Sequence, residues 1–432
     1  MKMIEKSMKQ RLFVFPLLLI FFISGCSNKQ EHIVGPTTLE ELSIIYDRNF
    51  IVYLQSAQEA IGKNILTYSA ISDQFTIPKY MEISGTHYDY GLLVAHIASQ
   101  YGIQPRRVSS VRIELNNRII EMYRQIYPQF LEIARGIGDV FDIPIEDMDF
   151  IFLEEGFFIG LWHNLLHYPA FESLGPSESA DNARAWGNCA VVSANVQDTT
   201  LVGRNFDNDR ERPHFVVYTR MEGVYNVLAN AQYTIYHWVM DGINEKGLVM
   251  ATANQASPPE YYRFFDPYPD FPVINEHHLF RIALETCATV DEVIALYRSV
   301  RPWSPDYADH LMVVDARGNS AVIGLDTDRE PTFFRSENSY QVLTNTAYHM
   351  GFDYLMNNCR RFQTATNMAE QGISNMNDIK EIMQLIRGRA FGYMSLYDIK
   401  NSFMRLYLRH DFDTPWDYTL PVEGWTHTME ND

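Results

Sequence analysis

A cysteine that could act as a nucleophile stands at the boundary between two kinds of sequence. Residues 171–188 are small and polar, which is typical of an exposed segment, and an alternating apolar pattern begins directly after Cys189. A cysteine thiolate attacks carbonyl carbons, so Cys189 is a candidate for covalent catalysis. A single cysteine is also typical of an ordinary packed core, and this residue alone does not decide between the two interpretations.

Four polar residues downstream of Cys189 lie where predicted strands end. Arg204 and Asp207 fall in one short segment, and Asp207 follows the cysteine by 18 residues, which is enough for one hairpin. Asn254 and Asn345 each end a later predicted strand. Each of these positions alone is typical of a turn or a cap, so the weight of the pattern lies in its order along the chain.

The first 25 residues predict an export signal. Basic residues precede the apolar run Leu12–Ile23, whose length of about 12 residues is too short to span a membrane. The run ends in Ser24 and Gly25 before Cys26, which resembles a bacterial lipobox. That resemblance implies a lipid-modified Cys26 and an exported lipoprotein of the cell envelope, anchored on its periplasmic or surface side. An ordinary secretory signal remains the alternative.

The other three cysteines cannot all pair with one another. If Cys26 carries lipid, an odd number remains, so at least one thiol is free. Cys287 and Cys359 both fall in helical patterns and are expected to pack as small apolar residues.

Composition excludes several classes of protein. The 432 residues carry a formal net charge of −19, which disfavours nucleic acid as a partner. A hydrophobic fraction of 46% with 13% aromatic residues supports a large core and excludes intrinsic disorder.

Residues 1–25 are the predicted signal. Hydrophobic periodicity divides the rest of the chain into three parts. Residues 26–38 predict a tether, residues 39–188 a mostly helical region, and residues 189–432 a strand-rich region. Strands with helices in separate groups favour an α+β layered domain. The elements predicted for the helical region include the strand Tyr80–Ser84 and the helices Tyr88–Ser99, Val108–Ile126 and Gln129–Phe141. The later helices include His278–Thr286, Val290–Val300, Cys359–Glu370 and Asp378–Ile386.

The ordered motifs resemble the N-terminal nucleophile hydrolases. The most similar group is the acyl-coenzyme A:6-aminopenicillanic acid acyltransferase family, with the related choloylglycine hydrolases and penicillin V acylases. The motifs that carry the resemblance are Cys189 opening a strand, Gly203–Asp207, the turn Asp241–Leu248 leading to Asn254, and Thr344-Asn345. The segments Gly85–Gly91 and Tyr127–Gly138 are similar to that family's propeptide. The resemblance implies a four-layer αββα sandwich and no cofactor. It also implies that the mostly helical residues 39–188 are a pro-segment and that residues 189–432 are the catalytic region.

The resemblance also implies a role for each residue. The Cys189 thiol would attack the carbonyl of Asn188, and the α-amine freed by this self-cleavage would serve as the general base. Arg204 would favour the thiolate, and Asp207 would orient the α-amine. Asn254 would stabilise the oxyanion, with Asn345 in the same site.

Some features of this sequence depart from the family or leave a choice open. Asn188 and Ala190 stand where relatives often have Gly and Thr, so the efficiency of self-cleavage is an open question. Arg361 either belongs to the site or is a solvated helix residue.

The implied reaction is hydrolysis of a linear, non-peptide N-acyl amide through a thioester. Acyl transfer to another amine is the close alternative, because water and amines compete for the same thioester. A non-catalytic surface lipoprotein that binds a small ligand is the alternative from a different class.

No metal site is predicted from the sequence. The pair His163 and His167 lacks the glutamate of a zinc-protease motif, and the neighbours His277 and His278 would point to different faces of a helix. The start of a calcium loop at Asp207 fails because Arg212 stands where such a loop needs glycine.

Overall fold

A computed structural model of the protein describes most of the chain after the predicted tether. The described residues are 48–69, 78–158, 161, 189–207, 214–231, 236, 239–255, 272–303, 309–326, 330–388 and 391–420. All of them belong to one compact unit, Leu42–Asp432. The predicted signal, Cys26, the segment 171–188 with Asn188, and the pair His163 and His167 lie outside the described residues. The boundaries assigned to the pro-segment and the catalytic region therefore remain predictions.

Helices dominate the region before Cys189. They are α1 Arg48–Ile61, α2 His87–Gln100, α3 Ile113–Ile126, α4 Pro128–Phe141 and the short α5 Phe150–Phe152. The predicted helix Val108–Ile126 begins later than expected, because a 3₁₀ turn at Ser110–Arg112 precedes α3. Pro128 opens α4, where its missing N–H has no cost.

Helices α2 and α4 pack with their backbones in close contact, because each has a glycine where the two helices meet. A Cβ atom on Gly91 would clash with the carbonyl oxygen of Ile133, and one on Gly136 would clash with that of Tyr88. These two glycines lie in the segments that carried the resemblance before Cys189.

The strands form two large sheets. The nine-stranded sheet has the order β1-β2-β5-β6-β7-β8-β11-β12-β13, the six-stranded sheet has the order β14-β3-β4-β15-β16-β17, and β9 pairs with β10. The strands of the larger sheet are β1 Leu66–Ser69, β2 Lys79–Gly85, β5 Phe215–Met221, β6 Val227–Ala231, β7 Val239–Asn244, β8 Val249–Asn254, β11 Asp309–Val314, β12 Ser320–Leu325 and β13 Pro331–Arg335. Those of the smaller sheet are β3 Ala190–Val196, β4 Thr199–Phe206, β14 Tyr340–Thr344, β15 Tyr393–Asp398, β16 Phe403–Leu408 and β17 Trp416–Thr419. The short pair is β9 Ile274–Asn275 and β10 Pro302–Trp303.

The region before Cys189 contributes two strands to the larger sheet. Strand β2 lies parallel to β5, with Lys79 opposite Phe215, and β1 pairs antiparallel with β2. The sequence predicted only the strand Tyr80–Ser84 there, because β1 is short and follows a helix without an alternating pattern. The regions before and after Cys189 thus share one sheet.

The two sheets face each other between layers of helices. Cys189 and Val191 of the smaller sheet pack against Val249, Ala251 and Met312 of the larger one in a common core. The helices of the region after Cys189 are α6 Glu276–Thr286, α7 Val290–Ser299, α8 Phe352–Asn358, α9 Arg360–Glu370 and α10 Met376–Ile386. Helices α6 and α7 cover the larger sheet, and α9 and α10 cover the smaller one over a second core. The predicted four-layer αββα sandwich is therefore confirmed.

A buried polar cluster ties the regions before and after Cys189 together. The carboxylate of Glu285 on α6 accepts hydrogen bonds from Tyr127, Tyr236 and Arg281. The His278 ring is 2.9 Å from the Tyr123 hydroxyl. Buried polar groups are stable only when hydrogen-bonded, so these contacts fix how α6 sits on α3 and α4.

None of the helices within the described residues combines the length and apolar character needed to cross a membrane.

Candidate active site

Cys189 lies directly before β3 at the end of the sandwich, and its side chain is 4% exposed. Strands β3 and β4 are antiparallel with Ala190 opposite Asn205, so the chain leaving β4 passes beside the cysteine. The backbone N–H of Asp207 consequently donates to the Cys189 sulfur. The hairpin predicted from the spacing of 18 residues therefore does bring Asp207 to Cys189.

Burial raises the pKa of the Cys189 thiol, and the charge of Asp207 raises it further. The charges of Arg204 and Arg361 and the Asp207 N–H act in the opposite direction. Burial dominates, so Cys189 is a neutral thiol at pH 7. Arg204 acts in the direction that favours the thiolate, but its effect is smaller than that of burial, so the thiol needs a base before it can attack.

Arg204 is fixed between the sheets by a second charge. Its side chain is 1% exposed and its Nη1 is 2.9 Å from a carboxylate oxygen of Asp241. It also donates to the hydroxyl of Tyr393 and, over 3.0 Å, to the carbonyl of Thr252. Arg204 therefore acts on Cys189 from a distance, as a positive charge held in place by Asp241.

Asp241 was placed in a turn by sequence reasoning, and that prediction is wrong. Residues 241–244 belong to β7, and the turn covers Glu245–Gly247. The Asp241 carboxylate accepts hydrogen bonds from several side chains besides Arg204, namely Asn230, Tyr393, Ser395 and Tyr397. An aspartate inside an apolar strand pattern was the signal that could have revealed it, because such a residue needs a buried partner.

Asp207 is fully buried, and its two carboxylate oxygens have different surroundings. Oδ2 accepts from the Gly388 N–H at 2.8 Å and from Arg361 Nη2 at 3.1 Å. Oδ1 has no hydrogen-bond partner among the described residues. Burial raises the pKa of Asp207 to about 6, although Arg361 and the Gly388 N–H lower it. Among the described residues, Oδ1 is therefore an acceptor without a donor.

Arg361 connects two of the predicted site residues. Arg361 is the second residue of α9. Its Nη2 donates to Asp207, and its Nη1 donates to Asn345 Oδ1 over 3.2 Å. Its Nε donates to the carbonyl of Ile386. Of the two interpretations left open by the sequence, the structure therefore favours a site residue over a solvated one.

Asn345 and Asn254 meet across the two sheets. Asn345 directly follows β14, and its Nδ2 donates to the backbone carbonyl of Asn254 over 2.6 Å. Asn254 is the last residue of β8 and stands opposite Asp309 of β11. The chain of contacts from Asp207 through Arg361 and Asn345 thus ends at the strand that carries Asn254.

Cys359 packs against the core of the smaller sheet, as predicted, but its place relative to the helix differs from the prediction. It does not lie inside the helix but caps it, because the Phe362 N–H donates to its sulfur. Its sulfur is also 3.3 Å from the hydroxyl of Thr344. Burial would raise the pKa of this thiol, but hydrogen bonds from Thr344 and Thr346 lower it on balance.

Cys287 caps the end of α6, and burial raises its pKa to about 11. A buried thiol with so high a pKa is inert, as predicted for a packing residue.

Within the described residues, three side chains on the outer face of the larger sheet could hold a metal ion. They are Glu276, His277 and Asp309. They do not belong to the chain of contacts around Cys189.

The comparisons with known proteins agree with the motifs. The family model of the acyl-coenzyme A:6-aminopenicillanic acid acyl-transferases matches residues 194–414, just over half of the chain, and begins after Cys189. No curated protein matches the chain. Among solved structures, penicillin V acylase from Agrobacterium tumefaciens is similar at 15% sequence identity and a TM-score of 0.39, covering 53% of this chain and 84% of that one. The family predicted from the order of the motifs is confirmed, and the chain belongs to the acyl-coenzyme A:6-aminopenicillanic acid acyl-transferase family.

Proposed function

We propose that the protein is a self-processing amidohydrolase whose nucleophile is Cys189 and whose substrates are linear, non-peptide N-acyl amides. Family membership supports an enzyme of acyl transfer or amide hydrolysis. The observation that carries the proposal is Asp207 Oδ1, a buried acceptor without a donor in the described residues, on the residue whose N–H contacts the Cys189 sulfur.

Self-cleavage supplies the missing donor. The Cys189 sulfur attacks the Asn188 carbonyl carbon, the thiol proton passes to the departing nitrogen as the C–N bond to Cys189 breaks, and a thioester forms at the sulfur. Water then hydrolyses the thioester and leaves a carboxylate on Asn188 and a free α-amine on Cys189. When protonated, this amine is a donor that Asp207 Oδ1 can accept.

The free α-amine also supplies the base that the buried thiol needs. Its reference pKa of ~7.7–8.0 suits proton transfer at neutral pH. It takes the thiol proton as the sulfur attacks the substrate carbonyl, and the tetrahedral oxyanion is stabilised by Asn254. The α-ammonium then gives its proton to the leaving amine, and water releases the acid from the thioester. Oxyanion donors of this kind typically contribute ~10²–10³ in rate.

Acyl transfer is the second candidate, because an amine that enters the site can take the place of water at the thioester. Family membership supports this candidate equally. We favour hydrolysis on the further proposal that the chain is exported and anchored through lipid on Cys26, where acyl-coenzyme A is scarce.

Intact-mass measurement of the purified protein tests the proposal. We expect a break between Asn188 and Cys189, with two fragments that stay associated, and release of free acid from a panel of N-acyl amino acids, bile-acid conjugates and penicillin V. Cys189→Ala should abolish both cleavage and turnover. Cys287→Ala is the matched control, because it removes another buried thiol and should leave both intact.

Two results would contradict the proposal. One is a wild-type chain that stays whole and is inert toward the panel. The other is turnover that persists in Cys189→Ala. Release of product only when an acceptor amine is added would instead support the acyltransferase.

A further inference from the structure

A second cluster of reactive side chains lies on the face of the larger sheet that is turned away from Cys189. Glu276 and His277 open α6, and Asp309 opens β11. One ligand atom from each lies within 4.8 Å of the other two. Glu276 and His277 are 7% and 4% exposed, and the Asp309 side chain is 10% exposed. Two carboxylates and an imidazole thus converge inside the protein.

Hydrogen bonds fix the two elements that carry the three side chains. The Asp309 N–H donates to Glu276 Oε1 over 3.2 Å, which joins the start of α6 to the start of β11. The His277 N–H donates to the capping side chain of Asn275 over 2.8 Å. The His277 ring nitrogen Nδ1 is 3.9 Å from Asp309 Oδ2. Side chains that are already held in position lose little conformational entropy when they bind a ligand.

The three residues line one cavity together with Tyr297. The cavity has a volume of about 20 Å³, where one water molecule needs about 10–15 Å³. Tyr297 is 3% exposed, and its hydroxyl has no hydrogen-bond partner among the described residues. A buried hydroxyl that none of the described residues satisfies can contribute to binding a ligand in this cavity.

The cluster does not include Cys189, but it is connected to Arg204, which donates to the hydroxyl of the cavity residue Thr252 and whose charge acts on Asp309. In β8, Ala251 and Ala253 face the core that contains Cys189, whereas Thr252 lines the cavity on the other face. The two sites are nevertheless linked through the sheet, since Asp309 stands opposite Asn254 in the β8–β11 pairing.

We propose that Glu276, His277 and Asp309 bind one first-row divalent cation of the Mn²⁺ or Zn²⁺ type, with water and the Tyr297 hydroxyl completing the site. A mixed set of one imidazole and two carboxylates suits these ions better than Ca²⁺, which takes oxygen ligands alone. The cation neutralises two carboxylates that are otherwise costly to bury. It also fastens the end of β11 that faces Asn254.

Titration of the EDTA-treated full chain with Mn²⁺, followed by electron paramagnetic resonance of the free ion, tests this site. Mn²⁺ is the suitable probe because thiols bind it poorly, so the cysteines do not interfere. We expect one bound equivalent per chain and a rise in the unfolding temperature. Glu276→Gln, His277→Ala and Asp309→Asn should each weaken binding at least about tenfold.

The matched control is His278→Ala, which removes the neighbouring buried imidazole. The His278 ring contacts Tyr123, outside the cavity. It should bind Mn²⁺ as the wild type does. Glu276→Gln keeps an oxygen for the Asp309 N–H, so this variant tests the ligand without removing the link between α6 and β11. Absence of Mn²⁺ binding to the wild type, or unchanged binding in folded Glu276→Gln and Asp309→Asn, would overturn the proposal.

Discussion

Asp207→Asn tests the proposed role of the free carboxylate oxygen with the smallest change of shape. Oδ2 is held by the Gly388 N–H and by Arg361, so the amide oxygen of the new asparagine must take that place. The amide NH₂ then replaces Oδ1, and a donor faces the α-ammonium of Cys189 in place of an acceptor.

The expected loss follows from that exchange. A hydrogen bond to a charged group contributes about 1.5–3 kcal/mol, and 1.36 kcal/mol corresponds to a factor of ten. The variant should therefore lose about 10-fold to about 150-fold in kcat/KM on an N-acyl amide substrate.

The pH profile provides a second readout that a purely structural role would not change. The α-amine must be unprotonated to act as the base, so activity rises with pH through its pKa. A negative Asp207 stabilises the ammonium form and raises that pKa, so the variant should shift the acid limb to lower pH.

The assay is kcat/KM of the cleaved enzyme between pH 4.5 and pH 9, with folding checked by circular dichroism. Asp417→Asn is the control, since it removes a partly exposed carboxylate paired with Arg405 at the sheet edge. A folded Asp207→Asn enzyme with kcat/KM within twofold of the wild type, or with an unshifted acid limb, would refute this reasoning.

Three further predictions concern stability. Arg204→Met should destabilise the fold by about 3–5 kcal/mol in urea unfolding, because it leaves the buried carboxylate of Asp241 without its cation. The surface variant Arg405→Met should cost at most about 1 kcal/mol. Equal losses in the two variants would contradict this view of the buried pair. Gly91→Ala should cost about 1–3 kcal/mol by forcing α2 and α4 apart, measured as a lowered unfolding temperature, and an unchanged temperature would show that the helices can separate freely. Burial would raise the pKa of Glu285, but Arg281 lowers it to about 2, so this residue contributes stability above its unfolded pKa of about 4.3 that is lost as the pH falls toward 2. Glu285→Gln should flatten the fall in urea midpoint between pH 5 and pH 2.5, and a slope equal to that of the wild type would exclude this role.

Sequence reasoning succeeded where contacts are local. The hairpin of β3 and β4 brings Asp207 to Cys189 because antiparallel neighbours joined by a short turn have a fixed register. The strands predicted from the sequence likewise end at Asn254 and Asn345, as they do in the structure. Helix boundaries were less certain, as the later start of α3 and the capping position of Cys359 show.

It failed where the partner lies far away in the chain. Nothing in the sequence around Arg204 predicts that it forms an ion pair with Asp241, which lies in the other sheet. The short strand β1 carries too few residues for a periodic signal, and it forms because β2 offers a free edge. Glu276 and His277 open one helix and Asp309 opens a strand more than 30 residues later, so no spacing rule brings the three together.

The sequence by itself determined the family, the layered architecture and the identity of the candidate nucleophile, because motif order and alternating patterns are local properties of the chain. Only the tertiary structure decided the electrostatics. Burial leaves Cys189 protonated, fixes Arg204 on Asp241, and leaves one oxygen of Asp207 available for a donor. These outcomes depend on how deeply each group is buried and on which distant group it meets, and both are set when the two sheets pack together.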